Sequence, residues 1–238
     1  MTKQISTVAF DADDTLWHSE RHFDEAQRTF QYLLADYVDA EKADAVLLET
    51  ERRNIPLYGF GVKGFVLSML EAASTLTERQ APSLLNDSIL ALGRHMLSHP
   101  VELLPHVSEV LSQLHGQFSL MLITKGDLIH QERKIAHSGL ADIFDHLEIV
   151  SDKNVVTYQR LFDSHGQGAR RSMMIGNSLK SDILPALEAG AFGVHVPYEL
   201  TFTLEHAEAP VDHSRFHVLA NLSELATLIE QINGNPPS

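Results

Sequence analysis

Three carboxylates fall within four positions near the start of the chain, in Phe10-Asp11-Ala12-Asp13-Asp14-Thr15-Leu16. They close an apolar run, Ile5 to Phe10, that has the length and residue types of a buried strand. Acidic side chains at the carboxyl end of a parallel strand open into the crevice where such sheets bind ligands, so they are not buried unpaired. An Asp-x-Asp pair there suits a hard cation. If the backbone stays extended, the Asp11 and Asp13 side chains share a face; if it turns, one side chain and one carbonyl meet the same ion.

Three further apolar runs end in polar residues able to join such a site. Phe118 to Ile123 runs into Thr124-Lys125-Gly126-Asp127, His146 to Val150 into Ser151-Asp152-Lys153-Asn154, and Ser172 to Ile175 into Gly176-Asn177-Ser178-Leu179-Lys180-Ser181-Asp182. Two or three of the aspartates can hold Mg²⁺, which takes oxygen ligands and keeps waters or substrate oxygens in its other positions. Thr124 and the N–H groups after it can hold a phosphoryl oxygen, because a loop entering a helix presents unpaired donors to anions. Lys153 can neutralise charge shared by a carboxylate and a phosphate. One Asp can then attack phosphorus while another protonates the leaving oxygen and later activates water. Singly, Thr124 could simply end a strand, Lys153 could be a solvated lysine, and Asp182 a first-turn acid favoured by the helix dipole. Their joint placement at successive strand ends argues for the site.

The elements that must position these residues follow from periodicity. From Pro105 onward, helix and strand alternate: helices over Pro105–Leu114, Leu128–Ser138, Val155–Ser164, Ile183–Ala189 and Ser223–Ile232, and additional strands at Gly193–Val196 and Phe216–Leu219. Residues 233–238 read as a frayed tail. Such alternation predicts an α/β fold with a doubly wound parallel sheet, Rossmann-like, and puts the polar strand ends on one edge. The stretch between the first two strands is helical throughout. Helices are predicted over Ser19–Val38, through Ala43–Thr50, from Phe65 to Leu76 and up to about Leu97. One Pro and three Gly within Asn54–Gly64 predict a loop, and Thr77-Glu78-Arg79-Gln80 has the form of a capping box. A single crossover needs one helix, so residues 18–100 read as an inserted all-helical domain, with 1–17 and 101–238 forming the core.

Composition narrows the partners. The 238-residue chain has 44% hydrophobic residues, enough for a sizeable core, and a formal net charge of −14. That charge repels nucleic acid and anionic membrane, and an anionic small substrate needs a metal or a local cluster of Lys and N–H donors to reverse the field. There is no Cys, which excludes disulfides and thiolate chemistry. The 14 His are scattered without paired metal spacing. The first residues carry no signal-peptide core or membrane-length run, so a cytoplasmic protein is expected.

These motifs together resemble those of the haloacid dehalogenase-like hydrolase superfamily: Asp11-Ala-Asp13-Asp-Thr15-Leu16, Leu122-Ile-Thr124-Lys-Gly126, Lys153, and Gly176-Asn-Ser178-Leu-Lys-Ser-Asp182. The resemblance implies that Asp11 is the nucleophile and Asp13 the acid/base, with Mg²⁺ held by Asp11, the Asp13 carbonyl and Asp182. It implies that Thr124, with Lys125 and Gly126, binds the phosphoryl group and that Lys153 steadies Asp11 and the phosphate. Asn177 stands where the family often has Asp, which removes one charge from the metal site; its carbonyl oxygen can still ligate or orient a metal-bound water. The helical insertion looks like the family's C1-type cap, which closes over the site, and Lys63 in its loop is expected to touch substrate. Trp17 is expected to pack in the core, and His18 to line the site. The haloalkanoate dehalogenases of the family lack the second Asp, so Asp13 disfavours that chemistry. The function implied is a Mg²⁺-dependent phosphatase acting on a small phosphorylated metabolite through an aspartyl-phosphate. The alternatives are a phosphomutase of the same fold and a non-catalytic phosphate-binding regulatory module.

Overall fold

The computed structural model describes residues 4–234. Its sheet is built from β1 (Thr7–Phe10), β2 (Ser119–Lys125), β3 (His146–Val150), β4 (Ser172–Gly176), β5 (Phe192–His195) and β6 (Phe216–Val218). These six strands pair in the order β3-β2-β1-β4-β5-β6, every pairing parallel. Parallel sheets are covered on both faces, and the inner strands show why theirs can be: alternate residues of one apolar run pack into different clusters. Val8, Phe10, Leu120, Leu122, Met173 and Ile175 lie in one cluster, with Val107 and Leu111 of α5 (Val107–Leu114), Ile135 of α6 (Leu128–Ser138), and Leu225 and Ile229 of α9 (Leu225–Gly234). Ala9, Met121, Ile123 and Met174 lie in the other, with Tyr158, Leu161 and Phe162 of α7 (Val155–His165) and Ala186 of α8 (Leu184–Glu188).

The topology locates the crevice. From β1 the chain moves outward to β2 and β3, then returns to the other side of β1 to lay down β4, β5 and β6. The reversal falls at β1, which is the switch point where doubly wound sheets open at their carboxyl edge. Phe10 is level with Leu122 on one side and Ile175 on the other. Asp11 therefore leaves the sheet between two neighbours, with Thr124 of β2 one residue further along.

The chain divides into two compact units. One takes the described residues up to His18, Val101–Lys125 and those from Glu132 on; the other takes Ser19–Pro100 with Gly126–Gln131. The second unit is built on α1 (Glu20–Leu33), α2 (Ala40–Tyr58), α3 (Val62–Leu76) and α4 (Ser83–Leu97) around its own core, which includes Phe30, Leu47, Met69 and Ile89.

Two local expectations are corrected in this unit. The loop predicted over Asn54–Gly64 shrinks to three residues, because α2 continues through Pro56 to Tyr58 and stops only at Gly59, which has φ 74°. Pro56 lies in the last turn, where it cannot donate to the carbonyl four residues back, and Asn54 ties the turn down by donating to Ser68 Oγ at 3.2 Å and Glu71 Oε2 at 2.9 Å. The Thr77 capping box is not formed. Thr77 instead ends α3, its hydroxyl donating to the Ala73 carbonyl at 2.8 Å, and Glu78 and Arg79 follow in left-handed backbone. At the chain's end, Asn233 and Gly234 belong to α9, and the remainder of the expected tail lies outside the described residues. No helix among the described residues is long and apolar enough to cross a membrane.

The helical unit also carries an ionisable group with a clear pH signature. Burial, and then the nearby Glu20, push the Glu51 carboxyl from 4.5 up to about 8. A raised acid stabilises the fold fully below its unfolded pKa and loses that contribution as pH rises through the folded value. The parent protein is therefore expected to lose a few degrees of Tm, relative to a Glu51→Gln variant, between about pH 6 and pH 9. Calorimetric melts of both proteins check this, and parallel pH profiles would contradict it.

Candidate active site

Lys153 organises the crevice. It lies three residues past the end of β3, and the Asn154 side chain caps α7 by accepting from Thr157 N at 3.0 Å, so the chain enters the helix in a fixed direction. The Lys153 ammonium is buried and donates to Asp11 Oδ1 and, at 2.7 Å, to Asp182 Oδ1. The reading of Lys153 as a solvated lysine is excluded by that burial. Asp11 also accepts from Thr15 Oγ1 at 3.2 Å, four residues on in the same loop.

Asp13, two residues beyond Asp11, is held by groups from two elements. Lys134 Nζ of α6 donates to both its oxygens, at 2.6 and 2.7 Å, and the Trp17 indole N–H donates to Oδ1 at 2.7 Å. Trp17 is buried in the core as expected, but its polar edge fixes an acidic side chain of the site. His18 Nδ1 lies 2.6 Å from Tyr198 Oη.

The loop after β4 supplies Asp182 through a short π-helical turn, Leu179–Ile183. Ser178 caps this turn, its Oγ accepting from Ser181 N at 3.0 Å, and its own N–H donates to Asp182 Oδ2 at 3.0 Å. The Asp182 carboxyl rests on Gly176, where a Cβ would stand 2.2 Å from Oδ2. Glycine is thus required by a close approach. Asn177 N donates to Thr15 Oγ1 at 3.1 Å, and Asn177 Oδ1 lies 3.4 Å from the same hydroxyl. His195 Nε2 is 2.9 Å from the Asn177 carbonyl, which can only accept, so that nitrogen carries the proton. Burial lowers the His195 pKa, although that hydrogen bond and Asp182 oppose the shift.

The buried carboxylates outnumber the ammonium between them. Burial is the largest influence on Asp11 and raises it; Lys153 opposes, Asp182 and Asp13 add to the rise, and the carboxyl ends at about 7 instead of 3.8. Burial alone would lower Lys153, but Asp11 and Asp182 outweigh it and keep the ammonium charged. Two buried carboxylates therefore share one ammonium, and an added cation beside them would relieve the excess negative charge. Among the described residues no group of three or more His, Cys, Asp or Glu side chains is gathered for a metal. A site with two carboxylates completed by a backbone carbonyl, an amide oxygen and waters is of the sparser kind that Mg²⁺ accepts. Asp11, Asp182, the Asp13 carbonyl and Asn177 fit it in donor chemistry.

Thr124 is buried at the end of β2. Lys125, next to it, directs its ammonium to Ser181 Oγ and Glu205 Oε1, each at 2.7 Å. Gly126 turns the chain with φ 133°. Lys63 pairs with Asp127 Oδ2 at 2.9 Å within the helical unit.

Lys134, Glu205 and Tyr198 join this neighbourhood without having been singled out from sequence. Lys134 is an ordinary helical lysine until the fold brings it to Asp13, and Glu205 sits in a 3-10 turn, Thr203–Glu205, with no periodicity to mark it. Burial would raise Glu205, but Lys125, Ser181 and Ser178 outweigh it and hold the carboxyl below its ordinary value.

Fold and site together define a doubly wound α/β protein with an acidic, cation-suited centre at its switch point. The family model for haloacid dehalogenase-like hydrolases matches residues 5–190, and the chain belongs to that family of hydrolases. It is similar to a haloacid dehalogenase-like family hydrolase from Xanthomonas campestris, with 38% identity over 98% of this chain and 93% of that one, at a TM-score of 0.87. The L-2-haloacid dehalogenase from Xanthobacter autotrophicus, solved with chloropropionic acid covalently bound, shares the fold at 16% identity, covering 95% of this chain and 98% of that one with a TM-score of 0.65. A glyceraldehyde 3-phosphate phosphatase from Methanothermobacter thermautotrophicus is 30% identical over 116 residues, which is 46% of this chain. The match spans 48% of that curated relative, about half its length.

Proposed function

We propose that the chain is a Mg²⁺-dependent phosphatase that moves the phosphoryl group of a small phosphorylated metabolite first to Asp11 and then to water. The observation that carries this reading is the buried Lys153 bridging Asp11 and Asp182, with Asp13 held apart from it by Lys134 and Trp17. Asp11 supplies the attacking oxygen. As its bond to phosphorus forms, the ester oxygen leaves and takes a proton from Asp13; Asp13 then takes a proton from the water that attacks phosphorus, which releases phosphate and regenerates Asp11. Lys153 offsets the repulsion between carboxylate and phosphate, and Thr124 donates to a phosphoryl oxygen. Mg²⁺ would supply further charge neutralisation and hold the phosphoryl group for attack.

The presence of Asp13 supports ester hydrolysis at phosphorus over dehalogenation, and the similarity to a phosphatase supports the same choice. Purified protein is expected to hydrolyse an aryl phosphate in Mg²⁺, to stop in EDTA, and to recover on adding Mg²⁺ back. Undiminished turnover in metal-free buffer, or release of halide from a haloalkanoate without any phosphate release, would overturn the proposal. A panel of phosphorylated metabolites then ranks substrates by kcat/KM.

A further inference from the structure

Between β5 and β6, residues 198–205 are fastened to the core unit through Tyr198, Leu204 and Glu205. Tyr198 Oη meets His18 Nδ1 at 2.6 Å, and the Leu204 carbonyl accepts from Lys180 Nζ at 2.6 Å. The third attachment is Glu205. Its carboxylate accepts from Lys125 Nζ at 2.7 Å, from Ser178 Oγ at 2.8 Å and from Ser181 Oγ. The Lys125 and Glu205 side chains are only 16% and 12% exposed, so the pair is shielded from the screening that makes surface ion pairs weak.

Those three donors are not scattered. Lys125 follows Thr124 at the end of β2, and Ser178 and Ser181 form the cap and first turn of the segment carrying Asp182. The Ser178 N–H is bonded to Asp182 Oδ2 at 3.0 Å, and Tyr158 Oη donates to the Ser181 carbonyl at 3.0 Å from below. One carboxylate thus joins two strand ends of the site and clamps the turn whose geometry aims Asp182. Among the described residues, the Glu205 carboxylate bonds Lys125, Ser178 and Ser181 and none of Asp11, Asn177 or Asp182.

We propose that Glu205 is a positioning residue for the cation site: through Ser178 and Ser181 it fixes the turn that presents Asp182 and Asn177. The inference rests on the Mg²⁺-dependent reading above. Partners that orient metal ligands without touching the metal are typically worth a factor of 10 to 100 in affinity.

The test compares the parent with Glu205→Gln, which keeps the shape but removes the charge, and with Ser181→Ala, which removes one donor from the clamp. Mg²⁺ affinity is measured by titration calorimetry without substrate, and hydrolysis of an aryl phosphate at limiting and saturating Mg²⁺. Glu205→Gln is expected to raise the Mg²⁺ Kd about 10-fold, and Ser181→Ala to raise it measurably but less. Activity should fall further at limiting than at saturating Mg²⁺. A merely structural role would lower activity equally at both and leave the Kd unmoved. Should Glu205→Gln fail to fold, Ser181→Ala decides; a parental Kd in whichever variant folds overturns the inference. A parent that binds Mg²⁺ yet hydrolyses no phosphate ester defeats the phosphatase reading alone, since the dissociation constants still judge Glu205. A parent that binds no Mg²⁺ defeats both.

Discussion

Asp11→Asn should lower kcat for an aryl phosphate by at least about four orders of magnitude, because a neutral amide oxygen is a poor nucleophile and a weaker partner for a cation. The same change should leave the protein as stable as the parent or more so when Mg²⁺ is absent. Burial and the Asp182 carboxylate already disfavour the charged form of Asp11. Removing that charge leaves Lys153 and Asp182 as a balanced pair. Activity lost while stability holds or rises distinguishes a residue retained for chemistry from one retained for folding. Stopped-flow turnover and calorimetric melting in EDTA read the two effects separately, and near-parental kcat would transfer the nucleophile's role elsewhere.

Lys153→Met should be damaging in the opposite sense, losing both activity and fold. The Lys153 and Asp182 side chains are each 1% exposed, and Asp11 is 8% exposed, so the variant leaves two carboxylates buried without their counter-ion. Breaking a buried pair by deleting one partner costs about 3–5 kcal/mol. The loss should grow as pH rises through about 7, where Asp11 ionises in the parent, because without the ammonium that lowers it the Asp11 carboxyl holds its proton to higher pH in the variant. Mg²⁺ should restore part of the stability by binding the folded state only. Urea unfolding at two pH values, with and without Mg²⁺, measures this. A variant as stable as the parent at high pH would show that Lys153 does not balance the two carboxylates.

How far the site was legible in the sequence depended on where its residues lie relative to strand ends. Asp11, Thr124, Lys153 and Asp182 each terminate an apolar run or follow one closely, and a parallel sheet must bring such ends to one edge. Lys134 had no such marker. It sits 121 positions from Asp13, inside a helix whose apolar stripe says only which face meets the core. Glu205 belongs to an irregular segment, where no period ties a residue to a direction. Local rules also misplaced elements in the helical unit. Pro56 and the neighbouring glycines read as a loop, yet the contacts of Asn54 with α3 hold the turn helical; Thr77 suited either end of a helix, and the preceding helix claimed it.

The phosphoryl group's route through Asp11 is tested most directly by quenching the enzyme with acid during steady-state turnover of an aryl phosphate in Mg²⁺, then mapping its peptides by mass spectrometry. The expected result is one added phosphoryl group, confined to the peptide containing Asp11, absent in Asp11→Asn and absent when Mg²⁺ is withheld. Continued turnover with no modified peptide under conditions that preserve acyl phosphates, or a phosphoryl group on any other residue, would contradict it.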